Sequence, residues 1–538
     1  MNQIPTLSPS RLRALFGSQR FILLLLVFIA GLPTLLLWNK AAYATGDSYM
    51  FMRAGLNVVR GRGFTGMDGG FMYIQDRPLY PIAVGLTSFL TSHLEMAARL
   101  ISLFGATLAV GAFYWLVKQR HSQAVAITSA LVFALLPLRV WSGQWILTDG
   151  LALGLVLTGV AVLFVKQAPG RINAVLAGIL IGLAYMTRSE ALLLFVGGCA
   201  YLLFFAESPD LKRRIANSCL FLFGFILLAV PHQFWFHHQT GTFGGRRLGE
   251  NLSTSEFIYQ GWPLSFDLHF DESSKAFVKV VPDLSVRALS SRYLYFAKEE
   301  IGRLIYLLGP RALTVSLLIV GGILFFKALA RRRTDALWQA VLLSPLLVLP
   351  FLHIEDRYLL PALPVLSLWM VSGALAVGKW VSRQIERSQA RVSIKPVWVL
   401  GIVAALLLGD SAYRLATLLP LSRATLLPQQ AAAWMQAERL PEGKIIAQEP
   451  ALAFYKGSLQ VWLPFGPFDP VLGYAREHEA RYVFVSSQDA TNPLKDRLLN
   501  DNEPPHDLLL LQTFQNAGET ARLFELRPET KEPVIVSR

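Results

Sequence analysis

The segment FILLLLVFIAGLPTLLLWNKAAYATGDSY (residues 21–49) places a long apolar run shortly before a single acidic residue, Asp47. The run from Phe21 to Leu37 has the length needed to cross a bilayer, about 17 to 25 residues. No small-residue cleavage site follows this run, so we expect a retained first span rather than a signal peptide. Comparable apolar runs recur as far as Leu415. The sequence therefore predicts a polytopic α-helical membrane protein.

The composition excludes a purely soluble enzyme. Of the 538 residues, 53% are hydrophobic and only 16% are charged, which is unlike a soluble globular protein. The net charge is +14, but six short loops hold 19 of the 50 Lys and Arg residues and only four of the 36 acids. These loops are residues 1–20, 118–122, 166–171, 207–214, 327–335 and 379–395. By the positive-inside rule they are cytoplasmic, together with the N-terminus, and no nucleic-acid partner is implied.

Alternating these loops across the inner (plasma) membrane predicts about eleven spans. The spans are residues 21–38, 96–117, 123–137, 150–165, 172–187, 190–206, 215–232, 311–326, 337–352, 359–378 and 396–415. An odd number of spans places the C-terminus outside. We therefore divide the chain into a transmembrane domain, residues 1–415, and an extracytoplasmic domain, residues 416–538.

The two faces of this topology differ in the length of their loops. The cytoplasmic loops are too short to fold into a catalytic domain. The outer segments are long and cover residues 39–95, 233–310 and 416–538. Any chemistry is therefore expected on the extracytoplasmic side.

The outer segments also carry patterns of regular structure. Apolar residues at helical spacing predict an amphipathic helix along the membrane surface before a Gly-rich turn at residues 61–70; they are Tyr49, Phe51, Met52, Leu56 and Val59. The tail begins with a helical pattern around Trp434. Short β-type runs follow at residues 444–448, 459–463, 482–485, 508–514 and 521–526, of which the last two predict a hairpin. The tail is therefore predicted to be a small α/β domain.

Acids and arginines gather where the predicted spans end on the outer side. Charges near hydrocarbon are costly, so such residues are the first candidates for function. They lie in the stretches Thr45-Gly46-Asp47-Ser48-Tyr49, Gln75-Asp76-Arg77-Pro78-Leu79-Tyr80-Pro81, Thr148-Asp149-Gly150, Thr187-Arg188-Ser189-Glu190 and Glu355-Asp356-Arg357-Tyr358. A carboxylate can act as a general base, and an arginine can stabilise a departing phosphate. Because ATP is absent outside a bacterial cell, we expect an activated sugar donor delivered by a polyprenyl phosphate in the membrane.

The order of these motifs resembles the GT-C glycosyltransferases. The resemblance rests on five motifs in a fixed order. They are an Asp soon after span one, Arg-Pro-Leu-Tyr-Pro before span two, Thr-Asp at span four, Thr-Arg-Ser-Glu, and Arg-Tyr-Leu-Leu-Pro-Ala-Leu-Pro from residue 357. The branch that looks most similar is the protein mannosyltransferase and aminoarabinose transferase family, glycosyltransferase family 39. The likeness covers about residues 20–380.

The resemblance implies roles for individual residues. Asp47 would be the catalytic base, and Asp149 a second acid lining the cavity. Basic and aromatic residues would bind the substrate and its phosphate, namely Arg77, Tyr80, Arg188 and Arg357. The sequence departs from the family pattern at Ser48, where many members have Glu, and at Met50, where aminoarabinose transferases have Arg. These departures leave the acceptor open.

Each candidate also has a structural alternative. Asp47 or Asp149 could be a helix N-cap, Arg77 could extend to lipid headgroups, and Arg188 could simply pair with Glu190. Arg357 could pair with Glu355 or Asp356 and fix the loop. His232, His237 and His238 match no trusted metal spacing and are better explained as part of an interfacial aromatic belt with their aromatic neighbours.

The sequence thus predicts a membrane glycosyltransferase that moves a hexose or pentose from a polyprenyl-phosphate carrier to an acceptor hydroxyl by an inverting single displacement. The acceptor is a lipid, a glycan or a protein. The scheme requires no cofactor and leaves a divalent metal open. A transporter or flippase for a lipid or lipid-linked sugar is the alternative, although such proteins commonly show related halves and mid-membrane charges. A non-catalytic scaffold would leave the charged span ends unexplained.

Overall fold

A computed structural model describes most of the chain. The described residues are 18–38, 44–70, 77–91, 93–164, 169–206, 210–241, 243, 252, 255–256, 258–260, 268–279, 282–331, 334–351, 355–388, 395–417, 426–500, 505–516 and 518–527. Asp76, which belongs to one of the predicted motifs, lies outside them.

Among the described residues before residue 418, the regular structure is helical apart from one short hairpin. Its helices are α1 (Gln19–Leu36), α2 (Gly46–Val59), α3 (Leu79–Thr87), α4 (Leu94–Lys118), α5 (Gln123–Leu135), α6 (Pro137–Ser142), α7 (Asp149–Leu163), α8 (Arg171–Tyr185), α9 (Ala191–Ala200), α10 (Leu211–Thr240), α11 (Val286–Leu308), α12 (Arg311–Ala330), α13 (Thr334–Leu343), α14 (Leu363–Arg387) and α15 (Pro396–Thr417). A π-helical turn (Tyr201–Phe205) continues α9, and a 3₁₀ helix (Asp356–Ala362) leads into α14.

The apolar helices coincide with the predicted spans. Among the described residues, six segments are long and apolar enough to cross a membrane: Gln19–Leu36, Leu94–Lys118, Leu211–Thr240, Ala312–Ala330, Asp356–Arg387 and Pro396–Thr417. Five shorter apolar segments are Gln123–Leu135, Asp149–Leu163, Arg171–Tyr185, Ala191–Phe205 and Ala336–Phe351. Each of these segments overlaps one predicted span. The multi-pass membrane architecture is therefore confirmed, whereas the number of spans stays a prediction.

Helices α4 and α7 approach each other closely through glycine. A Cβ atom built on Gly105 would lie 2.4 Å from the carbonyl oxygen of Gly150, and one on Gly154 would lie 2.5 Å from that of Gly105. Small residues allow such close backbone packing between membrane helices. This contact fixes the N-terminus of α7, where Asp149 lies, against α4.

The outer segments contain more helix than the sequence patterns predict. The predicted amphipathic helix is present as α2, with Tyr49, Phe51 and Met52 buried. Helix α10 continues past its predicted end at residue 232. Pro231 lies inside the helix and does not end it. The helix stops at Gly241, whose φ is 71°. Helix α11 lies in an outer segment where no helix was predicted.

The tail contains a five-stranded sheet. Its strands are β3 (Lys444–Ala447), β4 (Gln460–Trp462), β5 (Ala480–Ser486), β6 (Leu508–Asn516) and β7 (Glu519–Leu526), and its helices are α16 (Leu426–Ala437), α17 (Ala451–Lys456), α18 (Phe468–Glu477) and α19 (Pro493–Asn500). The spatial order is β4-β3-β5-β7-β6. Strands β3, β4 and β5 are parallel, and β6 and β7 form the predicted antiparallel hairpin. The small C-terminal α/β fold is confirmed, while the boundary at residue 416 stays a prediction.

The sheet region is attached to both outer segments. On one side, the backbone N–H of Gln460 donates to the carbonyl of Met67 at 2.8 Å. On the other, a hairpin of β1 (His269–Asp271) and β2 (Ala276–Val278) pairs with Phe465, whose carbonyl accepts from the N–H of Phe270 at 2.8 Å. These contacts hold the sheet beside α2, the helix that carries Asp47.

Candidate functional site

Asp47 lies in the first turn of α2. Thr45 precedes the helix, and the Ser48 hydroxyl accepts from the Thr45 N–H at 2.9 Å, which fixes the helix start. Arg357 Nη1 donates to Asp47 Oδ2 at 3.0 Å, across 310 residues of sequence. The Asp47 side chain retains 32% exposure. It is therefore an ion-paired carboxylate that solvent or a ligand can still reach.

Arg357 belongs to the 3₁₀ helix before α14 and binds a second carboxylate. Its Nε lies 2.6 Å from Glu355 Oε2, and its Nη2 donates to Glu355 Oε1 at 3.2 Å. The predicted alternative that Arg357 pairs with Glu355 is thus confirmed, in addition to its contact with Asp47. Asp356 pairs instead with Arg303 of α11, at 3.0 Å.

Asp149 and Arg188 form the deeper part of the site. Asp149 begins α7 with 2% of its side chain exposed, and its Oδ1 accepts a short hydrogen bond from Arg188 Nη1. Arg188 Nη2 also donates to Glu190 Oε1 at 2.9 Å, so the predicted pairing across the turn is present. The other oxygen of Asp149, Oδ2, is buried and has no hydrogen-bond partner among the described residues.

Tyr358 lies between the two groups. The guanidinium carbon of Arg188 is 5.0 Å from the centroid of the Tyr358 ring, and that of Arg357 is 5.4 Å away. Both distances are within the range of cation–π attraction. The two arginines therefore share one aromatic surface, which joins Asp47 to Asp149 in a single site.

Arg77 joins this site from the start of α3. The backbone N–H of Leu79 donates to the Met186 carbonyl at 3.1 Å, which places the start of α3 against the turn that carries Arg188. Arg77 interacts electrostatically with Tyr358. Arg77 also interacts electrostatically with Glu190, the residue that Arg188 binds. Arg77 thus contributes to the same electrostatic cluster.

A cavity opens next to these charges. Its lining has a polar end, formed by Asp149, Arg188, Glu190, Arg357 and Tyr358, and an otherwise largely apolar wall. The wall consists of Ala152, Leu153, Val156, Ala191, Leu194, Pro345, Leu349, Leu360 and Pro361. Such a lining suits an amphiphilic ligand that has an anionic or hydroxylated head and an apolar chain.

Tyr80 lies away from the cavity lining. Its side chain is fully buried, and its hydroxyl lies 2.9 Å from Ser102 Oγ and 3.2 Å from the Ala98 carbonyl oxygen. These contacts join α3 to α4. A substrate contact by Tyr80 stays a prediction, and its observed surroundings are those of a packing residue.

Glu449 is a site residue that the sequence analysis did not identify. It follows β3 in the tail, and its carboxylate lies against Gly46, the residue before Asp47. Partial desolvation, then the like charges of Asp489 and Asp47, raises the pKa of Glu449 to about 7. Its place after a predicted strand was a usable signal, because ligands often lie beyond the carboxyl ends of parallel strands.

The histidines lie at the end of α10. His232 is buried, and the His237 ring stacks on Phe243 with centroids 4.0 Å apart and planes 2° apart. Within the described part of the chain, no three His, Cys, Asp or Glu side chains are arranged to hold a metal ion. Their assignment to an aromatic belt stays a prediction.

Comparison with known proteins gives one family match. Residues 76–235 match the model of the dolichyl-phosphate-mannose-protein mannosyltransferases. The matched segment contains Arg77, Tyr80, Asp149 and Arg188. No curated protein sequence matches the chain.

Solved structures extend the similarity over nearly the whole chain. ArnT from Cupriavidus metallidurans bound to undecaprenyl phosphate matches with a TM-score of 0.57 and 12% identity, over 94% of this chain and 98% of ArnT. The archaeal oligosaccharyltransferase AglB from Archaeoglobus fulgidus, in complex with an inhibitory peptide and a dolichol-phosphate, matches with a TM-score of 0.55 and 11% identity, over 87% of this chain and 69% of AglB. The chain is therefore a multi-pass membrane protein with the fold of the GT-C glycosyltransferases.

Proposed function

We propose that the protein is a glycosyltransferase that moves a sugar from a polyprenyl-phosphate carrier to an acceptor hydroxyl on the extracytoplasmic side of the membrane. The observation that carries this proposal is the meeting of Arg357, Arg188 and Asp149 around Tyr358 at the polar end of an apolar cavity, with Asp47 held beside the cavity lining by Arg357. A charged head and an apolar wall in one cavity match the two ends of a lipid-linked sugar. The excess of basic residues in the opposite loops supports the proposed orientation.

Asp47 is the proposed general base. Arg357 holds one carboxylate oxygen, and the partial exposure of the side chain leaves the group accessible to an acceptor. Asp47 would take the proton of the acceptor hydroxyl as that oxygen bonds to the anomeric carbon. The bond from the anomeric carbon to the phosphate oxygen breaks in the same step, and its electron pair leaves with the phosphate. One displacement of this kind inverts the anomeric configuration.

The arginines of the site supply the positive charge for the leaving phosphate. Arg188 and Arg357 each present a fork of N–H donors, which fits phosphate oxygens as well as carboxylates. Arg77 adds a third guanidinium in electrostatic contact with the same turn. As charge develops on the departing phosphate, these groups would stabilise it without the reorganisation that water requires.

Asp149 is proposed to orient the substrate. Its Oδ1 is held by Arg188, while its buried Oδ2 has no partner among the described residues, and Asp149 is part of the cavity lining. A buried carboxylate oxygen without a partner is costly, and a sugar hydroxyl is a suitable donor for it. We expect Asp149 to accept a hydrogen bond from the donor sugar.

The apolar wall is proposed to bind the first isoprene units of the carrier. Leu153, Val156 and Leu194 line it next to Asp149 and Arg188. An apolar chain gains free energy by leaving water for such a surface. The family match, the undecaprenyl phosphate in ArnT and the dolichol-phosphate in the AglB complex support a lipid-phosphate ligand for this chain as well.

Transfer by the purified protein tests the proposal. The protein in liposomes receives undecaprenyl phosphate carrying a radiolabelled hexose or pentose, together with membrane extract as the source of acceptor. We expect release of undecaprenyl phosphate and labelling of an acceptor. Loss of a general base typically costs about 10² to 10⁴ in rate, so D47N should lower release by that factor.

A matched control accompanies D47N. Asp68 lies on the same outer segment, is exposed, and accepts a hydrogen bond from the Gly70 N–H, so D68N should transfer at the wild-type rate. Wild-type turnover by D47N would refute the assignment of the base. Movement of the labelled lipid between leaflets without release of undecaprenyl phosphate would instead identify a flippase.

A further inference from the structure

Glu449 is a tail residue that reaches the first turn of α2. A Cβ atom built on Gly46 would lie 3.0 Å from Glu449 Oε2 and 3.6 Å from Pro450 Cδ. The backbone N–H of Gly46 acts on the Glu449 carboxylate and favours its ionised form. This N–H is one of the donors that a helix cannot satisfy internally, so Glu449 stabilises the start of α2 from outside the helix. The residue after Gly46 is Asp47.

The segment after Glu449 is fixed to α2 by further contacts. The Tyr49 ring packs on Phe454 and Tyr455, with centroids 5.3 and 5.7 Å apart. Arg53 Nη2 donates to the Ser458 carbonyl at 2.9 Å. These contacts span α17 and run along α2 for two turns. Glu449 is therefore held by a rigid interface rather than by a free loop.

Tyr455 ties this interface to the membrane helices. Its hydroxyl donates to Glu95 Oε1 at 2.5 Å, at the start of α4, and accepts from Gln429 Nε2 at 2.8 Å. The tail is thus connected to both α2 and α4. Movement of the tail would be transmitted to the first turn of α2.

The charge of Glu449 interacts with that of Asp47. Part of the Glu449 residue is exposed to solvent, whereas its carboxylate lies against Gly46. The titratable groups that act on it are Asp489, after β5, and Asp47, on α2. Arg357 holds Asp47 from the opposite side. Ionised Glu449 therefore places a second negative charge beside Asp47 and its ion pair with Arg357.

We propose that Glu449 is a positioning residue for Asp47, through which the tail sets the geometry of the catalytic base. The proposal rests on the function proposed above. An ionised Glu449 accepts the Gly46 N–H more strongly than a protonated one and adds its negative charge beside Asp47. Transfer should therefore speed up as Glu449 ionises.

The test compares E449Q, E449A and wild type in the liposome assay across pH. In wild type we expect the transfer rate to rise through an inflection near pH 7, where the pKa of Glu449 lies. E449Q should lose this inflection, because its amide can still accept the Gly46 N–H but does not ionise. E449A should lower kcat by roughly tenfold with an unchanged KM for the lipid-linked sugar, since small displacements of a catalytic group cost at least that much. E449D should recover part of the inflection.

The controls separate this role from a purely structural one. Glu442 is exposed and lies just before β3, so E442Q should keep the wild-type inflection. G46A crowds Glu449 in the wild type but not in E449A, so the two changes should be less than additive in rate. Hydrogen exchange at the Gly46 amide should quicken in E449A and not in E442Q, whatever the turnover.

The possible failures are distinguishable. If wild type and E449Q share one pH profile while both transfer sugar, the positioning role is wrong and the proposed function stands. If the effects of G46A and E449A simply add, or the Gly46 amide exchanges equally in wild type and E449A, the contact between Glu449 and Gly46 is wrong. If wild type does not transfer sugar at all, the proposed function is overturned and this inference with it.

Discussion

Two arginine groups face each other across Tyr358, and they differ mainly in how far solvent reaches their carboxylates. Arg188 holds Asp149 and Glu190, while Arg357 holds Asp47 and Glu355. The two guanidinium groups are about equally buried. The acids that they bind differ in exposure, because the Asp149 side chain is 2% exposed and the Asp47 side chain is 32% exposed.

This difference in exposure predicts different roles for the two groups of ion pairs. Removing one partner of a buried ion pair leaves an uncompensated charge in a medium that solvates it poorly. An ion pair that water reaches contributes little to stability but remains free to exchange its partner. We therefore expect the Arg188 group mainly to hold the helix ends together and the Arg357 group mainly to serve the reaction.

The largest effect should come from R188A. Asp149 and Glu190 would both lose their counterion, and breaking a buried pair in this way typically costs about 3 to 5 kcal/mol. R357A should cost only about 1 kcal/mol, because its carboxylates remain accessible to water, yet it should abolish transfer. Thermal unfolding of the purified proteins in detergent measures the loss of stability in R188A and R357A, and the liposome assay measures the loss of transfer in R357A.

An R188K variant serves as the matched control. Lysine keeps the charge but lacks the fork of donors that binds Asp149 and Glu190 together, so its stability should lie between those of R188A and wild type. Equal destabilisation by R188A and R357A would show that exposure does not distinguish the two groups.

Glu300 of α11 extends the comparison of exposed and buried carboxylates to another buried acid. Its side chain is only 4% exposed, and its Oε1 has no partner among the described residues. Burial raises the pKa of Glu300 to about 7. The unfolded chain loses this proton near pH 4.5, where an ordinary Glu titrates. Stability should therefore fall as pH rises from about 4.5 to 7 and then level off.

E300Q should remove this loss. At pH 8 the variant should be more stable than wild type by about 3 kcal/mol, and at pH 4 the two should be equal. Glu299, the preceding residue of the same helix, has a side chain that is 48% exposed, so E299Q should follow the wild-type curve. Parallel curves for wild type and E300Q would contradict the assignment. Melting temperatures across pH provide the measurement.

The membrane architecture and most of the site's parts could be predicted from the sequence. Apolar length locates each helix, because a bilayer demands a fixed run of apolar residues whatever the tertiary fold. The same rule draws attention to Asp47, Asp149, Arg188 and Arg357, since charges at the ends of such runs are costly. Alternating patterns likewise identify the strands of the tail, because side chains point alternately to the two faces of a strand and leave a two-residue period in the sequence.

The partners of these residues could not be predicted, because they come from distant parts of the chain. Nothing near residue 47 indicates that Arg357 holds Asp47, or that Glu449 contacts Gly46. Helix α11 also escaped prediction because it is less apolar than the spans, although its buried residues Arg292, Phe296 and Glu300 follow a helical period. The partners of the site residues follow from tertiary contacts, which local periodicity does not contain.

The smallest effect should come from the ion pair between Arg303 and Asp356, which lies next to the Arg357 group in full contact with water. The two side chains are 42% and 40% exposed, and the charged atoms are 3.0 Å apart. A pair of this kind is worth about 0.5 kcal/mol and weakens as salt screens it. A double-mutant cycle of R303A and D356A, measured by unfolding at low and high salt, should therefore give a coupling near that value which disappears at high salt. A coupling as large as that of the Arg188 group would mean that position on the 3₁₀ helix, rather than access to water, sets the strength of these pairs.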